Sequence, residues 1–280
     1  MPPTGIGLAL RTAFFDALER GEGDGRLAFV EVAPENYMHR GGTLPRRLAR
    51  VAERFPVLTH GLMMNLGSTD PLDRDYLTEL AAFLRRYAPP WHSDHLSYSG
   101  VDGVLLHELL PLPWDPGTAQ RVAERVLRAQ DALDCTVAIE NISAYLRWGE
   151  PYYAETDFIL DVLRRCDGTL LLDVNNVLVN AENHGFDPYA WLAEIPLERV
   201  VQIHVAGHER CGDGSVLDTH GADVSDEVAA LLGWVIERAG PRPVLLERDA
   251  NVPPFAVLLE EIERLDAVYR AALERRSTAS

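Results

Sequence analysis

Cysteine is scarce in this chain of 280 residues: Cys135, Cys166 and Cys211 are the three it has. They stand far apart, so the sequence offers neither a disulfide framework nor a CxxC zinc site. A reduced, cytoplasmic setting is the expectation. Cationic residues are also few. Lys and Arg number 26 against 43 Asp and Glu, a formal net charge of −17. Sequence-independent nucleic-acid binding needs a cationic surplus to neutralise phosphates, so nucleic acid is not an expected partner. No apolar run approaches the roughly 20 residues that span a bilayer. The opening Met1-Pro2-Pro3-Thr4-Gly5 has neither the charged start nor the apolar stretch of a signal peptide, and no membrane partner is expected. What the chain does have is apolar content, 47 % of residues, enough for a large core and too much for a chain that is mainly disordered.

Eight short apolar runs alternate with longer helical patterns. They are Gly5–Leu10, Leu27–Val32, Pro56–His60, Trp91–Leu96, Thr136–Glu140, Leu170–Val174, Val200–Val205 and Pro243–Glu247. Continuous apolar runs of this length suit strands buried on both faces of a parallel sheet. Between them, Asp70-Pro71 and Asp187-Pro188 have the form of an N-cap followed by Pro at the first helical position. Phe158, Ile159, Val162 and Leu163 repeat at helical spacing, with Gly168 expected to end the turn. Val228, Leu231, Leu232 and Val235 do the same before Gly240-Pro241, and a last helix is expected over about Pro254 to Arg270. Eight strands, each followed by a helical segment, predict a (β/α)₈ barrel of the TIM type. It would form a single domain over residues 1–280, with a polar tail that frays from about Glu274. An open doubly wound sheet is the alternative, but its glycine-rich phosphate loop does not follow the first run.

Seven of the eight runs end in, or run into, polar residues of the types that can ligate metals. Glu31 and Glu35-Asn36 follow the second, and His60 ends the third. The fourth carries Ser93-Asp94-His95 and the fifth Glu140-Asn141. The sixth gives Asp173-Val174-Asn175-Asn176, and the seventh His204 with Asp218-Thr219-His220 in its loop. Glu247-Arg248-Asp249 follows the eighth. In a barrel these ends converge on one mouth, where active sites sit. Any one of them alone is more often a structural residue. Four carboxylates, Glu140, Asp173, Asp218 and Glu247, crowded into a partly dry mouth would repel one another strongly, and bound cations neutralise them. Beside them His60, His95, His204 and His220 supply nitrogen, and no thiolate is present. Imidazole with carboxylate suits iron, zinc or manganese. With Asn176 the set has nine members, too many for one ion, and points to two or three ions sharing bridging carboxylates. His92 and His107 are expected to be structural or surface residues. His184 and His208, with Asp94, are candidates for catalytic or substrate-handling roles.

In this order the motifs His60-Gly61-Leu62, Ser93-Asp94-His95-Leu96, Ile139-Glu140-Asn141, Leu172-Asp173-Val174-Asn175-Asn176, His204-Val205-Ala206-Gly207, Asp218-Thr219-His220 and Leu246-Glu247-Arg248-Asp249 resemble the multinuclear non-heme iron-dependent oxidases. That family includes the iron subunit of methanobactin biosynthesis, and the likeness runs from Gly5 to about Tyr269. The resemblance implies a barrel like that of xylose isomerase. It implies two or three irons per chain in a mixed Fe(II)/Fe(III) state, with dioxygen as co-substrate. It also implies a ribosomally made precursor peptide as substrate, modified most often at cysteine, and a separate leader-binding partner protein. Carried over by position, His60, His95, Glu140, Asp173, Asn176, His204, Asp218, His220 and Glu247 match the family's metal ligands. His92 and Asp94 stand beside that pattern and are left open as ligands. The order also resembles the trinuclear zinc site of endonuclease IV, where a histidine stands at the position of Asn176. A zinc- or manganese-dependent hydrolase or isomerase is therefore the rival, and a metal-stabilised peptide-binding scaffold the non-enzymatic one.

Overall fold

The computed structural model describes residues 2–279, and the side chains of Leu105, His107 and Ala279 lie outside what it describes. Eight parallel strands close into a barrel. They are β1 (Gly5–Ala9), β2 (Val30–Val32), β3 (Val57–His60), β4 (His92–His95), β5 (Val137–Glu140), β6 (Thr169–Asp173), β7 (Val200–Val205) and β8 (Pro243–Leu246). Each pairs with its neighbours in sequence, and β1 pairs with β8 to close the ring. The chain is thus a (β/α)₈ TIM barrel, as the alternation of the sequence predicts. The expected strand over Leu27–Val32 shortens to its last three residues.

Helices pack outside the ring through the apolar stripe that a 3.6-residue period creates. Leu77, Leu80, Ala81 and Leu84 are the buried face of the helix Arg74–Tyr87, and Val228, Leu231, Leu232 and Val235 that of the helix Asp226–Ala239. Three helix ends differ from the expectation. The helix Arg74–Tyr87 starts from Asp73, whose carboxylate accepts from the amides of Asp75 and Tyr76. Asp70 instead accepts from the amides of Asp102 and Gly103, at 3.1 Å each. These two residues, both at positive φ, turn a hairpin between Tyr98–Val101 and Val104–Leu110. Asp167, not Gly168, takes the left-handed position after the helix Glu155–Cys166. The Asp187-Pro188 cap and the Gly240 stop stand as expected. The last helix, Phe255–Ala279, continues through the tail that was expected to fray. Arg275 reaches the Glu237 carboxylate at 2.8 Å and Arg276 the Glu237 carbonyl at 3.1 Å, so the polar end docks on the helix Asp226–Ala239.

Inside the ring, the two-residue period of the strands sorts side chains into two layers. Ala9, Phe29, Leu58, Trp91, Ala138, Leu171 and Leu245 form one apolar cluster, separate from the core under the helices. They fill the floor of the barrel. Phe29 lies against Gly7, where a Cβ would come within 2.6 Å of the ring. Two residues further along their strands stand Glu31, His60, Ser93, Glu140, Asp173 and Glu247. An irregularity in the β6–β7 pairing sets Gln202 level with Leu171 and His204 level with Asp173. The β4–β5 register likewise places His95 beside Glu140.

Candidate metal centre

Three donor atoms from β3, β4 and β5 meet at the mouth. Nε2 of His60 lies 3.1 Å from Nε2 of His95 and 3.1 Å from Oε2 of Glu140, and His95 Nε2 is 3.3 Å from the same oxygen. Neighbouring ligands around one tetrahedral ion, with bonds of about 2.0–2.1 Å, stand at roughly this spacing. The His60 ring is held for the task. The Ser93 hydroxyl donates to the Thr59 carbonyl at 3.2 Å, so it accepts from His60 Nδ1 at 2.9 Å. The ring proton is thereby kept on Nδ1 and the Nε2 lone pair faces the cluster.

A second set lies deeper. His204 Nδ1 is 3.1 Å from Glu140 Oε1 and 3.5 Å from Glu247 Oε1. Glu140, Asp173 and His204 have one donor atom each within a common reach of 4.8 Å, and so have Asp173, His220 and Glu247. Glu140 belongs to two such groups and Asp173 to two, which is what bridging carboxylates require. Asp173 caps the helix Val174–His184, accepting from the Asn176 amide at 2.8 Å through Oδ1. Its Oδ2 is buried without a hydrogen bond. The same holds for Asn176 Oδ1, whose amide nitrogen is anchored on the Asn141 carbonyl at 3.0 Å. Asp218 is fixed by Asn175 at 2.7 Å and Ser143 at 3.1 Å, and approaches His220 Nε2 at 2.8 Å. His220 sits at φ 48, a strained position that the β8 loop stabilises through the Asp249 amide.

Electrostatics describe the same convergence. Burial alone would push the His60 ring down, but Glu140 outweighs it and raises His60 to about 9. Burial is likewise overcome at His220, raised to about 10 chiefly by Glu247 and Asp218, and at His204, raised by Glu247, Glu31 and Glu140. Against the cost of burial, the histidines hold Glu140 well below the carboxylate range and Glu247 down at about 2. Asp173 goes the other way, pushed well up by burial and by the charges of Glu140, Asp218 and Glu247. Protons on the histidines and on Asp173 supply the positive charge that this ring of carboxylates demands. Cations bound between the same atoms would supply it too. Orphaned, buried donors at Glu140 Oε2, Asp173 Oδ2, Asn176 Oδ1, His204 Nδ1 and His220 Nε2 fit metal ligation, since a buried polar atom without a partner is otherwise costly.

Asp94 and His92 lie outside these groups. They point away from the barrel axis, one residue out of phase with Ser93 and His95. The Asp94 carboxylate accepts from the Met64 amide at 3.0 Å and the His95 amide at 2.7 Å, and lies 3.6 Å from His95 Nδ1, so it ties the β3 loop to the back of the His95 ring. His92 binds Thr59 Oγ1 at 3.0 Å and is pushed down to about 4 by burial. His184 bonds the Ala144 carbonyl at 2.6 Å, and His208 bonds Asn175 at 2.9 Å, behind Asp218. These rings brace the mouth loops. Glu31 is the residue that the sequence leaves underrated: it meets His204 Nε2 at 3.3 Å and falls within ligand reach of His204 and Glu247. Its position two residues after the floor residue Phe29 is the signal for it.

The class of protein that these observations define is a (β/α)₈ barrel with a buried carboxylate–histidine cluster at its C-terminal mouth. Solved structures of that shape are similar to this chain along nearly its whole length. A xylose isomerase domain protein from Alicyclobacillus acidocaldarius aligns with TM-score 0.62 and 16 % identity over 96 % of this chain and 99 % of its own. Endonuclease IV from Thermus thermophilus aligns with TM-score 0.59 and 19 % identity over 97 % and 99 %. At those identities the likeness is one of fold. The family follows from sequence. Residues 5–270 match the model of the RiPP precursor modification enzymes MbnB/TglH/ChrH, and the chain belongs to that family. A UPF0276 protein of Pseudomonas aeruginosa is 45 % identical over 273 residues, covering 97 % of this chain and 94 % of the relative. Another from Acinetobacter baylyi is 42 % identical over 276 residues, covering 99 % and 95 %. Among the described residues, no helix is long and apolar enough to cross a membrane.

Proposed function

We propose that this chain is a multinuclear iron- and dioxygen-dependent oxidase that modifies a side chain, cysteine foremost, of a ribosomally made precursor peptide. The observation that carries the proposal is the set of buried donor atoms of Glu140, Asp173, Asn176, His204 and His220 that converge at the mouth without a hydrogen bond, in a chain whose family modifies such precursors. His60, His95 and Glu140 would hold one ion, and Glu140, Asp173, His204, Glu247 and His220 the others, with Asn176 and Asp218 at the edge. The donors are nitrogen and oxygen without thiolate, a set that suits iron. Iron held there would supply the redox chemistry with dioxygen.

The chain's own residues supply geometry and charge. The N-terminus of the helix Val174–His184 directs its first amides at the Asp173 side of the centre, which favours negative charge there. Ser93 fixes the His60 tautomer. The floor cluster closes the barrel below, so that access is from the mouth. Leu62 and Met63 on the β3 loop and Tyr145, Leu146 and Trp148 on the β5 loop are exposed and give the entrance an apolar collar against which a peptide can lie. A separate leader-binding protein would hold the rest of the precursor.

The test is to purify the chain anaerobically, count metals, and follow oxygen uptake with a cysteine-containing peptide encoded beside its gene. More than one iron per chain and peptide-dependent oxygen consumption are expected. Stoichiometric zinc, with no activity after iron reconstitution, overturns the oxidase and leaves a hydrolase or isomerase. Iron without peptide-dependent uptake leaves a binding scaffold.

A further inference from the structure

We infer that Glu31 is a positioning residue for the metal centre: its carboxylate accepts a hydrogen bond from the Nε2–H of His204, so that His204 offers Nδ1 to the ions. This rests on His204 being a ligand, and it adds a device behind the His204 ring. Four buried side chains form it. Trp91 Nε1 donates to Gln202 Oε1 at 2.9 Å. An indole nitrogen only donates, so the amide cannot flip, and Gln202 Nε2 must face the other way. There it donates to Glu31 Oε2. The second oxygen, Glu31 Oε1, lies 3.3 Å from His204 Nε2. Gln202 Nε2 also comes within hydrogen-bond distance of His204 Nε2, at 3.0 Å; with the amide committed to Glu31 Oε2, this ring nitrogen must carry its own proton toward Glu31 Oε1 for Glu31 to position the ring.

The opposite ring nitrogen, Nδ1, is buried without a hydrogen bond and faces Glu140 and Glu247. Trp91, Gln202, Glu31 and His204 are all almost fully buried, so water does not compete for these bonds. Glu31 could itself be grouped with His204 and Glu247 around an ion, but its Oε2 is already engaged by the Gln202 amide and its Oε1 lies nearest the far nitrogen of the His204 ring. A carboxylate–histidine–metal arrangement of this kind fixes the ring's tautomer and raises its basicity as a ligand, and losing the carboxylate typically costs roughly 10–100-fold in metal affinity. His60 has a neutral hydroxyl in the equivalent place. The deeper histidine therefore carries the stronger hold.

The experiment uses metal alone, with neither peptide nor oxygen, so it succeeds or fails separately from the oxidase proposal. In the zinc-loaded wild-type chain labelled with ¹⁵N-histidine, the His204 proton is expected on Nε2. A proton on Nδ1, with the Gln202 amide donating to Nε2, overturns the inference without any variant. In competition with a chelator, Glu31→Gln should lose roughly 10–100-fold in affinity for one class of Zn(II) or Co(II) site. Gln202→Leu should lose less, and Trp91→Phe least. The ion held by His60 and His95 should be retained throughout. Unchanged affinity in Glu31→Gln overturns the inference, as does X-ray absorption or diffraction placing a Glu31 oxygen on the metal.

Discussion

The floor and the mouth of this barrel are built by the same strands, two residues apart, and their physics is opposite. Phe29 and Glu31, Leu58 and His60, Ala138 and Glu140, Leu171 and Asp173, and Leu245 and Glu247 are five such pairs. The floor is a dry plug whose burial stabilises the fold by about 1.5–3 kcal/mol for each large side chain. The mouth buries carboxylates and imidazoles, which cost free energy unless they are paired. The floor therefore holds the strands in register while the mouth carries a charge arrangement that cations complete. Stability and function are separated by about 7 Å along each strand, and the comparison can be broken by changing one layer at a time.

The largest effect is expected at Glu140. It is 2 % exposed and stands within 3.1 Å of both His60 and His204. Glu140→Gln keeps the volume but removes the charge that two donor groups share. Metal content should fall by more than one ion per chain, and activity by more than about 100-fold, beyond the range seen for residues that only orient a ligand. Normal iron content measured by plasma mass spectrometry would remove Glu140 from the centre.

A floor substitution should behave differently. Phe29→Ala empties the plug against Gly7 and should cost about 3–5 kcal/mol in chemical denaturation, while the folded fraction keeps its iron count. If iron is lost from chain that is still folded, the two layers are not separable.

Acid and base should act strongly on the mouth. The folded His60 and His220 are raised from 6.5 to about 9 and about 10. The stability they contribute is full below 6.5 and is lost as pH rises through those values. Glu247 is lowered from 4.5 to about 2, so its contribution is present above 4.5 and is lost as pH falls through about 2. Asp173, raised, opposes it and loses its contribution as pH rises from 3.8. The metal-free chain should thus have a declining Tm from about pH 6.5 upward. The iron-loaded chain, its histidines already deprotonated by ligation, should not. Parallel profiles for the two forms would place the titrating groups elsewhere.

The eight strands and the mouth were legible because buried parallel strands read as apolar runs, and their polar ends stood out against them. What was hidden depends on contacts across long separations. Asp70 serves the turn at Asp102-Gly103, 32 residues away, rather than the helix beside it. The tail is ordered by Arg275 reaching Glu237, 38 residues back. Glu31 was visible as a strand end, but its place under His204 depends on Gln202, 171 residues on, and on Trp91. Alternation within a strand tells which face a residue takes, and it separates Asp94 from His95. It does not tell which partner waits across the barrel.

Asn176 gives the smallest and most discriminating case. Its side chain is neutral, it lies in the first turn of the helix Val174–His184, and its Oδ1 is the one buried amide oxygen among the orphaned donors of the described residues. A neutral oxygen holds a cation less firmly than a carboxylate does, so the ion beside it should be the most easily lost. Asn176→Ala removes that oxygen and the bond to the Asn141 carbonyl, but leaves the bridging Glu140 and Asp173 in place. The expected outcome is loss of one iron at a chelator concentration that spares the others, with single-turnover peptide oxidation reduced and Tm nearly unchanged. Asn176→His should hold the same ion more tightly and still slow the reaction, because a ring fills the space that a departing or exchanging ligand needs. If Asn176→Ala keeps the wild-type iron count and rate, the amide is a packing residue of the helix start, and the boundary between mouth and scaffold lies one layer closer to Asp173.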